Sequence, residues 1–459
     1  ILSSVNQFYN FWVKTAMAIS NGDPIDLQSS STYPTRLYSA IEATGGLIVL
    51  SASEQFLVSS GQEALFTPET VKVTYLSSYA FNPDTNPISL GTSIGFLNST
   101  AKNARFYEMA DVSNRAEPSV AEQTKIIGRL FPNDTTLATG STENDLLLFG
   151  VDSTLHTPSN TVWGYKWYQQ GDQRAQSAWF RWTLPNNLTY HCILDDVYYT
   201  VLQNSDKSKF TLEKFDIKLA DDTLLIDLPD DNAELLQNDA RIHLDTKKTI
   251  ATGDITYNGQ TDQSTFTLGA GYYSSNNLTV YCTTESDAKG KTYDVPASAI
   301  TGTAPNQTVT LPGNWKTSTE AGASTTSVNT DLVVGYEYEF QVQLPKIYVT
   351  KPEGNKIRSE TRGSLVIHRM NFDFGSVGVI DVTLKRKGRD DYTYTVESLE
   401  WDNINSSTAA IAPEYRHTIP VYDRNINLDV YIKSNHPSPT TLHSMNWEGD
   451  YSPRYYASV

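Results

Sequence analysis

"VWGYKWYQQGDQRAQSAWFRWTL", residues 162–184, holds Trp163, Trp167, Trp179 and Trp182, half of the eight tryptophans in a chain of 459 residues. Side chains two apart share a face of a strand, so Trp163, Tyr165 and Trp167 point one way. In the second arm Trp179 and Arg181 point opposite to Phe180 and Trp182. The polar "QQGDQ" between the arms reads as a turn. The stretch is therefore a β-hairpin whose arms present aromatic rings to packing layers. Burying each ring is worth a few kcal/mol, of order ~2. That spacing favours a structural framework over an exposed carbohydrate platform.

Working outward, short apolar runs recur at "GGLIVLSASEQFLVSS" (45–60), "TSIGFLNSTAKNARFYEM" (92–109), "NDLLLFGVDSTLH" (144–156) and "LTYHCILDDVYYTVLQ" (188–203). Each reads as strand, tight polar turn, strand, with turns at Ser99–Asn103 and Asp195–Asp196. The opening "ILSSVNQFYNFWV" reads as one more unit, entered midway. Units recurring at this period suggest the blades of a β-propeller. One helical interruption is expected at "SVAEQTKIIGRLF" (119–131).

The character changes after Lys218. Residues 219–245 carry eight acids against one base, Arg241. An alternating β segment with turn chemistry at Asn258-Gly259 follows, and the low-complexity stretch 317–331 closes it. Long antiparallel strands then resume, with a turn at Lys387–Asp390. The expected fold is all-β: propeller-like blades over 1–219, an inserted small β domain with an acidic lead-in over 220–331, and a C-terminal antiparallel β domain over 332–459.

Composition narrows the function. A net charge of −17 argues against a reader of nucleic-acid sequence, which needs a basic face. It suits a surface past which DNA slides without being gripped. The seven histidines form no HxH or HExxH, and Cys192 and Cys282 form neither a disulfide framework nor a metal spacing. No nucleophile elbow, P-loop or dinucleotide fingerprint is present. Acidic pairs such as Asp195-Asp196 and Asp390-Asp391 sit where hairpins reverse. The basic cluster Lys385, Arg386, Lys387 and Arg389 reads as a solvated or subunit-facing edge. No catalytic residue, metal or cofactor is expected. The chain starts without Met, as the later part of something longer would.

The string "WGYKW…RAQSAWFRW", carried by Trp163, Tyr165, Lys166, Trp167, Gln176, Ser177, Ala178, Trp179 and Trp182, resembles the signature of the tail nozzle proteins (tail tubular protein B) of short-tailed, podovirus-type bacteriophages. "FYNFW…AISNGDPIDL" (8–27), "GGLIVLSASEQFLVSSGQEALFTPETV" (45–71), "GYEYEFQVQLPKIYV" (335–349) and "WEGDYSPRYYASV" (447–459) stand in the same order as in that family. Residues 230–330 lack a recognisable family motif.

The resemblance implies a structural virion protein without catalytic residues. It would form a sixfold ring at the distal tail tip, below the tail adaptor ring, and help to anchor tail fibres. DNA would pass through the channel without sequence-specific binding, and the distal end would face the host cell surface. The protein would be made in the host cytoplasm. Asp221, Asp222, Asp230, Asp231 and Glu234 are then expected either to border the channel or its gate or to form an ordinary solvated linker. Two other classes compete: a carbohydrate-active propeller enzyme and a receptor-binding adhesin.

Overall fold

A computed structural model describes the chain except residues 1, 2, 5, 6, 14–16, 27–30, 32–34, 44, 61–65, 101, 111–117, 171, 172, 218–242, 270–277, 283–291, 304, 305, 316–331, 354, 355, 362, 398–414 and 454–459. The described residues form antiparallel sheets joined by turns and short 3-10 segments, and contain no α-helix. The fold is all-β. The chain divides into two compact units, residues 1–220 and 221–459.

The first unit contains four sheets whose strands are neighbours both in sequence and in space. Sheet one comprises Leu37–Ala43, Gly46–Ser51, Gln55–Ser59 and Lys72–Ser77, and sheet two Ile88–Ser89, Ile94–Ser99, Ala104–Ala110 and Ser119–Glu122. Sheet three comprises Leu137–Ser141, Leu146–Gly150, Thr161–Gln170 and Gln173–Thr183, and sheet four Asn187–Leu194, Val197–Gln203 and Phe210–Asp216. Each apolar run recognised in the sequence supplies at least one central strand of a different sheet.

The sheets pack in series. Ile48, Leu50 and Leu57 of sheet one meet Ile94, Phe96 and Met109 of sheet two. Leu97 and Phe106 of sheet two meet Leu147, Phe149 and Tyr165 of sheet three. Leu146, Leu148 and Val162 of sheet three meet Leu188, Tyr198 and Leu202 of sheet four. A strand covered on both sides needs no polar alternation, so "LLLFG" (146–150) is apolar throughout and wholly buried.

Three sequence expectations need correction. Residues 119–131 are not a helix: Ser119–Glu122 pairs with Tyr107–Ala110, and a 3-10 turn, Gln123–Ile126, follows. The apolar spacing imitates a helical stripe, yet Ile126 and Leu130 are exposed while Phe131 is buried. The described part of the opening segment forms turns rather than strands. There Asn10 accepts from the Trp12 amide at 3.0 Å, a local bond that competes with ladder pairing. In the third unit the hairpin turn precedes "LLLFG", because Leu146 pairs back to Ser141. The turns expected at 99–103 and 195–196 are present, the second with Asp195 in the left-handed region at φ 53°.

Among the described residues the second unit holds two separate cores. One lies between the sheet of Asp245–Ile250, Leu332–Tyr336, Leu278–Cys282 and Thr292–Val295 and the sheet of Thr256–Asn258, Gln263–Thr267, Thr308–Pro312 and Ile300–Thr301. The other gathers Met370, Phe372 and Phe374 with Val382, Leu384, Ile419 and Ile432. These come from the long strands Ser364–Val377, Val379–Arg386, Tyr415–Arg424 and Leu428–Ser434. Gly388, at φ 81°, makes the turn expected at Lys387–Asp390.

Candidate functional site

The aromatic hairpin is the structural centre of the first unit. Its arms pair without interruption from Thr161↔Thr183 to Tyr168↔Gln176, and Gln170↔Gln173 leaves only two residues, 171 and 172, between them. One face carries Trp163, Tyr165 and Trp167, all buried, and the half-buried Trp179 directly opposite Tyr165. The Tyr165 and Trp179 rings lie 4.8 Å apart, and Trp179 reaches Phe131 and Phe149 at 5.5 and 5.7 Å. Its indole N–H donates to the Gln123 carbonyl at 3.0 Å.

The other face turns to sheet four. Trp182 stands 6.0 Å from Tyr198 and stacks on Phe215 at 6.3 Å. Phe180 lies across from Gly164, where an added Cβ would come within 2.0 Å of the ring. Glycine there lets the aromatic ring close over the neighbouring strand. Lys166, Gln176, Ser177 and Ala178 are exposed, Lys166 donating to the Asn144 carbonyl at 3.2 Å. The signature residues thus divide between two packed faces and exposed positions on both arms.

A charged knot fastens the hairpin tip to sheet two. The Arg174 guanidinium grips both oxygens of the buried Glu108, with Nη2 to Oε1 at 2.7 Å. Glu108 also accepts from Ser93 Oγ at 2.7 Å and Gln123 Nε2 at 2.8 Å. Arg174 Nη1 reaches the Tyr165 hydroxyl at 3.1 Å and lies over the Trp167 ring at 5.3 Å. Burial pulls the Arg174 pKa down, but the bonds and charge of Glu108 and Tyr165 together hold it above its ordinary value. Sequence reading quoted Arg174 yet missed the knot, because Glu108 lies 66 residues away.

A second buried polar pair joins His191 Nδ1 and the Tyr198 hydroxyl at 2.9 Å. Burial drives the His191 pKa down to about 3, opposed by the backbone of Leu137. Burial, followed by neighbouring Cys192, pushes the Tyr198 phenol up. Both residues hold strands in register and face a packed core.

Asp221, Asp222, Asp230, Asp231 and Glu234 lie outside the described residues. Among the described residues no three His, Cys, Asp or Glu side chains converge as a metal site would require. In the basic cluster, Lys385 lies 4.9 Å over the Tyr431 ring and Arg389 approaches Asp423 at 4.0 Å.

Three comparisons with known proteins bear on this arrangement. The sequence profile of the family described as bacteriophage nozzle protein matches residues 1–458. A curated relative, the tail tubular protein gp12 of Escherichia phage T7, is 21% identical over 472 aligned positions, covering 99% of this chain and 53% of its own length. The chain thus spans about half the length of that relative. Among solved structures, an exo-β-1,3-galactanase from Phanerochaete chrysosporium is 10% identical and covers 84% of this chain and 98% of its own. Its TM-score is 0.19, too low to carry an argument about fold or chemistry.

Proposed function

From the premise that this chain belongs to the bacteriophage nozzle protein family and is a structural protein of a phage tail, we propose that it builds a ring at the tail tip through which DNA leaves the particle. The observation that carries the reading is the family match across residues 1–458. In this proposal six copies form the ring, which meets the tail adaptor on one side and helps to anchor the tail fibres. The four sheets of the first unit act as propeller-like blades. Residues 220–331 and 332–459 work as separate modules, with the strand Leu332–Tyr336 at the start of the second lending Leu332 and Val334 to the core of the first.

Electrostatics supports a conduit. At −17 per copy, a ring repels the phosphate backbone and offers DNA few places to bind as it passes. Asp221, Asp222, Asp230, Asp231 and Glu234 border that passage in our proposal. In this proposal the protein's role is structural, and the knot at Arg174 and Glu108 and the pair at His191 and Tyr198 serve as fasteners.

The direct test is ejection kinetics from phage carrying Asp221→Asn, Asp222→Asn, Asp230→Asn, Asp231→Asn and Glu234→Gln together. Slower release of DNA from otherwise normal particles is the expected result. Unchanged release would remove the channel-facing role of these acids.

A further inference from the structure

Between the two cores of the second unit the chain crosses in three residues, Glu337, Tyr338 and Glu339. Before them, Leu332–Tyr336 is an inner strand paired with Asp245–Ile250 and Leu278–Cys282. After them, Phe340–Gln343 pairs with Leu428–Ser434 beside the other core. The turn that follows Leu428–Ser434 makes a second tie, since the His243 amide donates to the Pro437 carbonyl at 2.8 Å. That turn is braced from within: the Ser438 amide donates to His436 Nδ1 at 3.2 Å, and Ser438 Oγ accepts from the Val379 amide at 3.1 Å.

Two carboxyl groups meet at this crossing. Thr279 pairs with Asp294 on one side and with Gly335 on the other, and is fully buried. Its hydroxyl donates to Asp294 Oδ1 at 3.1 Å. Glu337, two residues beyond Gly335, lies within hydrogen-bonding reach of both the Thr279 hydroxyl and the Asp294 carboxyl. Carboxylates only accept, so a bond between two of them needs a proton on one. We propose that Glu337 and Asp294 share one proton in the folded chain, and that this bond is a latch on the crossover between the two cores. The latch holds in mild acid and lets go as the proton leaves, when two like charges are left side by side.

The surroundings favour the protonated pair. Burial raises the Glu337 pKa above its ordinary value and the charge and bond of Asp294 raise it further, while the Thr279 hydroxyl opposes them. The stability this contributes is complete below the ordinary carboxylate pKa and is lost as pH rises through the folded value. His436 faces Asp294 from the turn, but burial holds its pKa near 4, so it is neutral where the latch opens. Asp245, opposite Tyr336, adds a carboxyl whose pKa burial also raises. His243 and Lys247 flank it in sequence, and Lys433 pairs with Glu339 at 3.6 Å. The latch is independent of the ring reading above.

The test is amide hydrogen exchange of the 459-residue chain, read by mass spectrometry on peptides spanning 332–343 and corrected for the intrinsic effect of pH. In the parent, protection should fall several-fold from about pH 5 to about pH 8. Glu337→Gln, with an amide that donates to Asp294 at any pH, should keep its protection throughout. Protection independent of pH in the parent, or lost equally in Glu337→Gln, would overturn the inference. Should that variant fail to fold, the parent decides through selective carboxyl ¹³C labelling. Glu337 should titrate above its ordinary 4.5, and Asp294→Asn should lower that value. Titration at or below 4.5 in the parent, or a value unmoved by Asp294→Asn, would show that no proton is shared.

Discussion

Gly164 shows how one residue sets the spacing of the hairpin. Its missing side chain leaves room for Phe180, and a methyl placed there would overlap the ring at 2.0 Å. Gly164→Ala should cost about 1–3 kcal/mol of stability, as overpacked cores do. Chemical denaturation of the variant measures this, and an unshifted midpoint would mean that the ring moves aside freely. His191 is the residue that couples stability to acid. Its folded pKa of about 3 lies below the ordinary 6.5, so folding keeps the ring neutral while the unfolded chain takes up a proton. The stability this contributes is complete above pH 6.5 and is lost as pH falls from 6.5 toward 3, at up to about 1.4 kcal/mol per pH unit. His436, held near 4 chiefly by burial, adds the same trend in the second unit. Between pH 7 and 5, above the usual carboxylate range, His191→Asn should flatten the fall for the first unit; an unchanged slope would contradict the assignment.

At the scale of elements, the hairpin was legible because period-two spacing and a polar turn leave little choice. Trp163, Tyr165 and Trp167 share a buried face, with Trp179 half-buried on the same side. The segment 119–131 was misread for the opposite reason. Its apolar residues recur at helical intervals, but an adjacent strand edge, Tyr107–Ala110, was available and captured Ser119–Glu122. The opening segment misled through composition, since five exposed apolar residues from Phe8 to Val13 read as strand while Asn10 ties the backbone into turns. The knot at Arg174 and Glu108 depends on how two sheets stack, which no local pattern encodes. Breaking it with Glu108→Gln should destabilise the first unit by about 3 kcal/mol, the low end for a buried pair because the Arg174 side chain is 23% exposed. Glu108→Leu combined with Arg174→Met should recover much of that loss, since no charge is then stranded. A double variant as unstable as the single would show that the lost packing, and not the stranded charge, sets the cost.

For the whole molecule, the all-β class was readable from apolar runs and turns, as the described strands show, and the tail assignment from motif order, with which the family match across residues 1–458 agrees. The channel-facing acids were readable only as composition. Asp221, Asp222, Asp230, Asp231 and Glu234 lie outside the described residues, so their place rests on the ejection experiment. In the proposed ring, a charge of −17 per copy would repel every phosphate that enters, whatever the base sequence. Raising ionic strength screens that repulsion. The central claim is a position in a particle, and immunogold electron microscopy of the phage with an antibody against residues 230–330 tests it most directly. Gold confined to the tail tip is the result the account predicts, and gold along the fibres, or particles without label, would contradict it.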